Sequence, residues 1–213
     1  MNDQELVPTA LLGETDVERY YRWHAPVYDL TRWTFLFGRD DILHQLVGDV
    51  SAKRVLEVGC GTGRNLVELA RLFPEARLTG LDLSSAMLER AEQRTAQFAS
   101  RVNLLQGRYD GPVYSAPTFD LVLFSYSLTM FNPGFDLAID SAARDLVHGG
   151  RIAVVDFHDS PSTLFERWVA VNHVCAKGQL RPLLQERFMP LHDEVRPAYG
   201  GVWRYLMFLG QKR

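Results

Sequence analysis

One stretch narrows the fold more than any other: Arg54-Val-Leu-Glu-Val-Gly-Cys-Gly-Thr-Gly-Arg64. A short apolar run ends in glycines at alternate positions and passes directly into an amphipathic pattern, Arg64–Leu72. Glycine has no Cβ, so such a loop turns tightly and lets a ligand approach its backbone. A strand, a glycine turn and a helix in succession place that turn at the carboxyl end of a strand, where open α/β sheets bind ligands. The glycines (Gly59, Gly61, Gly63) are spaced GxGxG, unlike the GxGxxG of dinucleotide enzymes, and no GxxxxGK[ST] phosphate loop is present. Glu57, just before the turn, is ill suited to a pyrophosphate; a carboxylate accepts from hydroxyl and ammonium groups.

The surrounding pattern agrees. Between residues 53 and 156, apolar runs at Arg54–Val58, Arg77–Leu81, Val102–Gln106, Asp120–Phe124 and Ile152–Phe157 alternate with amphipathic stretches at Arg64–Leu72, Ser84–Phe98 and about Phe135–Val147. The last of these reads as a helix closed by a His148-Gly149-Gly150 C-cap. Strands alternating with helices imply parallel crossovers with helices on both faces. A helix over about Pro161–Cys175 then precedes two strand-like runs, Glu194–Tyr199 and Val202–Leu209, joined by Gly200-Gly201 in the manner of a tight hairpin. The expected fold is α/β: a doubly wound, Rossmann-like, mostly parallel seven-stranded sheet with a C-terminal antiparallel hairpin.

Length and charge bound the rest. The 213 residues, 46% apolar, are expected to form a single domain, with 1–50 as a helical lid or acceptor segment and 53–213 as the α/β core. Lys and Arg (23) nearly balance Asp and Glu (26), so no global basic field attracts nucleic acid. The two cysteines, Cys60 and Cys175, form neither a disulfide framework nor a CxxC pair, and no His/Cys/Asp spacing suggests a metal. The acidic N-terminus lacks a signal-peptide pattern, and no apolar run reaches the ~18–20 residues of a membrane span, so a cytoplasmic protein is expected.

A second carboxylate, Asp82, closes the next strand in Leu78-Thr-Gly-Leu-Asp-Leu-Ser84. It stands near the spacing of ~20 residues at which an acid reaches ribose hydroxyls in nucleotide-binding units, though an acid before Ser84-Ser85 also reads as a strand end and helix N-cap. Together, Val-Leu-Glu-Val-Gly-Cys-Gly-Thr-Gly, Leu-Asp-Leu-Ser with Met87, the strand Phe119–Phe124 and Gly149-Gly150-Arg-Ile-Ala-Val-Val-Asp156 resemble the motifs of class I S-adenosylmethionine-dependent methyltransferases. The resemblance covers about residues 53–213. It implies S-adenosyl-L-methionine as cofactor and S-adenosyl-L-homocysteine as product. It further implies cofactor contacts from Tyr28, Glu57, Gly59, Cys60, Gly61, Asp82, Leu83, Met87, Tyr109 and Ser125. One departure from the family pattern is that Gly107 is followed by Arg108-Tyr109-Asp110 rather than directly by Asp.

The acceptor side lies in the N-terminal segment and the loops after the fourth and fifth strands. Tyr21–Asp29 with Thr31–Arg39, the segment Ser125-Tyr-Ser-Leu-Thr-Met130 and Asp156-Phe-His158 resemble the N-methyltransferases of bacterial betaine-lipid synthesis. That family methylates the amine of a lipid headgroup. The resemblance implies Tyr28, Tyr126 and His158 as catalytic groups and Tyr21, His24, Tyr126 and His158 as substrate contacts. The expected partner is a small-molecule or lipid-headgroup amine. Trp23, Trp33, Phe35 and Phe37, with Arg19, Arg22, Arg32 and Arg39, either make peripheral membrane contact through residues 16–39 or fold inward as a lid. The alternatives are a methyltransferase for an unrelated soluble oxygen, sulfur or nitrogen acceptor and a non-catalytic cofactor-binding protein.

Overall fold

The computed structural model describes residues 36–49, 51–131, 133–162, 165, 174 and 176–213. In chain order the elements are α1 (Arg39–Asp49), β1 (Arg54–Val58), α2 (Arg64–Leu72), β2 (Arg77–Asp82), α3 (Ser85–Thr95), β3 (Val102–Gln106), β4 (Phe119–Ser125), α4 (Phe135–Asp145), β5 (Leu146–Asp159), α5 (Leu180–Arg187), β6 (Phe188–Ala198) and β7 (Trp203–Lys212). The strands form one seven-stranded sheet in the order β3-β2-β1-β4-β5-β7-β6. The first five pair in parallel, and β7 is inserted antiparallel between β5 and β6. The chain leaves β1 toward β2 on one side and returns to β4 on the other. The strand order therefore reverses between β1 and β4, and in open sheets the crevice at such a reversal takes the ligand.

Both faces of the sheet are covered, which is why its strands read as apolar runs rather than as alternating patterns. On one face Val55, Leu121 and Val155 pack against Ile42 and Leu46 of α1 and Leu66 and Leu69 of α2. On the other, Leu56, Val58, Val122 and Phe124 pack against Ile139 and Ala142 of α4 and Leu184 of α5. Among the described residues no helix is long and apolar enough to cross a membrane.

Three local expectations need correction. The expected helix Phe135–Val147 ends at Asp145, and His148-Gly149-Gly150 does not cap it but leads into the inner part of β5. The cause is tertiary: Leu146 is fully buried and pairs with Phe119, while the Asp145 carbonyl accepts from the Thr118 N–H at 2.7 Å. The helix expected over Ser84–Phe98 is α-helical only for Ser85–Thr95 and finishes as a 3₁₀ turn, Ala96–Phe98. The C-terminal strands are longer than expected. They meet not at a two-residue turn but through Tyr199-Gly200-Gly201, all three left-handed, with φ of 48°, 65° and 96°. The helix expected over Pro161–Cys175 falls largely outside the described residues.

Candidate active site

The glycine turn after β1 is bound to the end of β2, with the N–H groups of Gly59 and Cys60 both donating to the Leu81 carbonyl at 2.8 and 3.1 Å. Its glycines serve different purposes. A Cβ at Gly59 would stand 2.5 Å from the Ser127 Cβ, and one at Gly63 would stand 3.0 Å from the Ala91 Cβ; both positions are closed by packing. A Cβ at Gly61 would meet nothing within 4 Å, so this backbone faces open space at the crevice.

Asp82 ties the end of β2 to the glycine turn and to the start of α3, in line with its reading as a strand end before a helix cap. One carboxylate oxygen accepts from the Gly61 N–H at 2.8 Å and the other from the Ser84 N–H at 2.9 Å, while the Ser84 hydroxyl caps α3 through the Met87 N–H. Glu57 is buried, and burial pushes its pKa up to about 8 against the opposing pull of an Asn65 hydrogen bond and the Arg39 charge. Its Oε1 accepts from Asn65 Nδ2 at 2.8 Å; its Oε2 is buried with no hydrogen-bond partner among the described residues. The Arg39 guanidinium donates to the other end of the same amide, Asn65 Oδ1, at 3.1 Å. Arg39, in a segment read from the sequence as either a membrane contact or an inward-folding lid, is turned inward toward Glu57. Asn65 was not singled out. Its only sequence signal is an amide in helical register with buried Leu69, on a face otherwise apolar.

The other expected cofactor contacts divide. Ser125 ends β4 at the crevice with its hydroxyl buried and without a partner among the described residues. Leu83 is half-buried beside Asp82, and Met87 is fully buried in α3. Cys60 is buried, and desolvation together with the charges of Asp82 and Glu57 raises its thiol well above the usual range, so it is a neutral packing group. Tyr109 is turned away from the crevice. Its ring packs on Phe124 and its hydroxyl donates to Asp145 at 2.8 Å, in the layer shared with α4.

On the acceptor side, Tyr28, Tyr21 and His24 lie outside the described residues. Tyr126 is buried with a φ of 56°, and its hydroxyl donates to the Phe37 carbonyl at 2.7 Å. Its ring meets Phe157 edge-on at 4.9 Å within an aromatic group that includes Trp203. His158 follows Phe157 at an irregularity in the pairing of β5 with β7, and a Cβ at Gly178 would lie 3.3 Å from its ring. Burial lowers its pKa, partly offset by Asp159, and its Nδ1 is buried with no partner among the described residues. The Tyr126 hydroxyl is thus given to Phe37 and not to His158. Asp156, which the sequence reading placed at the end of a strand motif and in the acceptor-side segment Asp156-Phe-His158, is a buried anchor for the loop after β4. It accepts from the Thr129 hydroxyl, from the Thr129 N–H at 3.2 Å and from the Phe157 N–H at 2.8 Å. Burial pushes its pKa up to about 6. No group of His, Cys, Asp and Glu among the described residues could hold a metal ion.

Comparison with known proteins decides the family. A methyltransferase domain model matches residues 55–150. The 2-phytyl-1,4-naphtoquinone methyltransferase of Thermosynechococcus vestitus is 30% identical over 162 residues, 72% of this chain and 71% of that protein. The chain belongs to the class I S-adenosylmethionine-dependent methyltransferases. The ubiquinone/menaquinone biosynthesis C-methyltransferase UbiE of Syntrophotalea carbinolica is 28% identical over 83% of this methyltransferase and 77% of its own length. The fold matches the N-methyltransferase NodS of Bradyrhizobium japonicum in complex with S-adenosylhomocysteine, with a TM-score of 0.75 at 19% identity, over 93% of this chain and 99% of that one. The methyltransferase uses S-adenosyl-L-methionine, and its crevice fits that group. Open space lies over Gly61, a carboxylate stands at each neighbouring strand end, and buried oxygens of Glu57 and Ser125 lack protein partners among the described residues.

Proposed function

We propose that this methyltransferase transfers a methyl group to the amine of a small molecule or lipid headgroup, and that the cofactor lies across the carboxyl ends of β1 and β2. S-adenosylmethionine supplies an electrophilic methyl on a sulfonium sulfur. In this reading Glu57 faces the ammonium of the methionyl part, the backbone at Gly61 lets that part pass, and Asp82 accepts from the ribose hydroxyls. Leu83 and Ser125 flank the bound cofactor, and Tyr28 covers it. The new nitrogen–carbon bond forms as the carbon–sulfur bond breaks, and the amine sheds one proton. Such an in-line displacement asks for a neutral amine, alignment and exclusion of water more than for a strong base.

The observation that carries the nitrogen assignment is His158. Burial lowers its pKa and so favours the neutral imidazole, and its buried Nδ1, without a partner among the described residues, is available to hydrogen-bond an amine at the end of β5. The likeness to an N-methyltransferase in fold supports the same choice. A second reading, methylation of a quinone-like ring, is favoured by the two sequence relatives named for quinone substrates. A peripheral membrane contact draws support from exposed Phe37, Tyr199 and Val202, of which Phe37 and Tyr199 touch at 5.1 Å. The test is product analysis by mass spectrometry after incubation with methyl-labelled cofactor and a panel of amines, naphthoquinols and lipid extracts. Label on an amine, lost in His158→Ala, supports the proposal; label on ring carbon or oxygen only overturns it in favour of the quinone reading.

A further inference from the structure

Among the described residues Tyr126 is the one bulky side chain at the crevice held in a left-handed conformation, with a φ of 56°. An aromatic residue in that region is an outlier that persists only where its surroundings over-determine it. Here they do. The Tyr126 N–H donates to the Val155 carbonyl at 2.8 Å, the next residue's hydroxyl donates to the Val58 carbonyl at 2.8 Å, and the ring is wedged against Phe157. The result is that the hydroxyl reaches across 89 positions of sequence to the Phe37 carbonyl.

Phe37 stands at the start of a short strap. Its ring rests on Tyr199 and Trp203 of the hairpin, at 5.1 and 5.8 Å. Gly38 follows with a φ of 75°, so close to the hairpin that a Cβ would stand 2.5 Å from Tyr205 Cε2. Then comes Arg39, the first residue of α1, whose guanidinium donates to Asn65, which in turn donates to Glu57. A continuous line of bonded groups therefore runs from the loop after β4 to the carboxylate at the end of β1.

We propose that Tyr126 is a positioning residue: its hydroxyl latches the strap 37–39 over the crevice, and through Arg39 and Asn65 this latch orients Glu57 for the cofactor. The phenol does not touch the reacting atoms; its oxygen is spent on a backbone carbonyl. Cofactor affinity is the readout, and the identity of the methyl acceptor does not enter.

The experiment is a double-mutant cycle on the full chain. Affinity for S-adenosylhomocysteine is measured by calorimetry for wild type, Tyr126→Phe, Arg39→Gln and the double variant. Each single change is expected to weaken binding roughly five- to thirtyfold, the scale set by an unpaired buried acceptor. The double variant is expected to bind no more weakly than the worse of the two. In parallel, isotopic label in the glutamate carboxyl carbons reports on Glu57 by magnetic resonance, its signal assigned by its absence in Glu57→Gln. That signal is expected to move in Tyr126→Phe and Arg39→Gln alike, which a purely structural loss would not cause. If Tyr126→Phe fails to fold, Gly38→Ala displaces the strap from the hairpin instead, and the same losses are expected. Wild-type affinity in Tyr126→Phe beside a weakened Arg39→Gln overturns the latch. Additive losses, or an unmoved Glu57 signal, overturn the relay. Unchanged affinity in Arg39→Gln overturns the role of the strap while leaving the cofactor assignment intact.

Discussion

The two halves of the crevice are built by different means. At the ends of β1 and β2 the surface is mostly backbone: a glycine turn, two N–H groups on one carbonyl, and a carboxylate that accepts from Gly61 and Ser84. At the ends of β4 and β5 it is mostly side chain: Tyr126 edge-on to both Phe157 and Trp203, which are tilted against each other, with their polar atoms committed elsewhere or buried. The first half is dictated by which residues lack a Cβ or carry a charge, so little freedom remains to vary it. The second half is set by how distant segments pack, and it can change without disturbing the sheet.

The largest effect should come from filling the backbone half. Gly61→Val adds bulk where nothing stands within 4 Å, and is expected to lower affinity for S-adenosylhomocysteine more than about a hundredfold in calorimetry while the unfolding transition persists. Wild-type affinity in that variant breaks the contrast at its strongest point. Next is Asp82→Ala. Charge-assisted hydrogen bonds are worth roughly 1.5–3 kcal/mol each, so a loss of about ten- to a hundredfold in cofactor affinity is expected. A loss below twofold would reduce Asp82 to a helix cap.

Glu57 gives a pH signature. Its folded pKa of about 8 exceeds the ordinary 4.5, so between those values the native state holds a proton that the unfolded chain has released. The contribution of this group to stability is therefore fully present below about pH 4.5 and declines as pH rises toward 8. Asp156, raised to about 6, acts in the same direction over a narrower range, so the difference between wild type and Glu57→Gln isolates the larger part. Denaturant unfolding at a series of pH values should show a shallower decline in Glu57→Gln; parallel curves would contradict the burial argument. The smallest effect is expected at Cys60. Its raised pKa leaves no thiolate, so Cys60→Ala should retain methyl transfer within a few-fold and wild type should resist alkylation near pH 7.

The same division explains what the sequence disclosed. β1 and α2 run over the residues expected for them, Arg54–Val58 and Arg64–Leu72, because the glycine turn marks where one ends and the other begins. The parallel order and the antiparallel end of the sheet were legible for a similar reason, from short apolar runs separated by helical patterns. The end of α4 was not. Gly149-Gly150 is a strong local stop, but burial of Leu146 and the Thr118 hydrogen bond end the helix earlier. Nor could local pattern show that Arg39 turns inward to Asn65, or that the Tyr109 hydroxyl is taken by Asp145, since each partner lies 26 or more positions away. Long-range polar pairs leave no local signature.

Hydrogen exchange in the presence and absence of S-adenosylhomocysteine tests the central claim most directly, because it asks where on the sheet the ligand lies. The two ends of the sheet offer separate places: the crevice beyond β1 and β2, and a cleft of about 200 Å³ at the opposite end lined by Asp120, His148 and Arg151. Protection is predicted at residues 59–63 and 82–84, with no change at 147–151. Protection confined to 147–151, or none at the glycine turn at saturating ligand, would contradict the account.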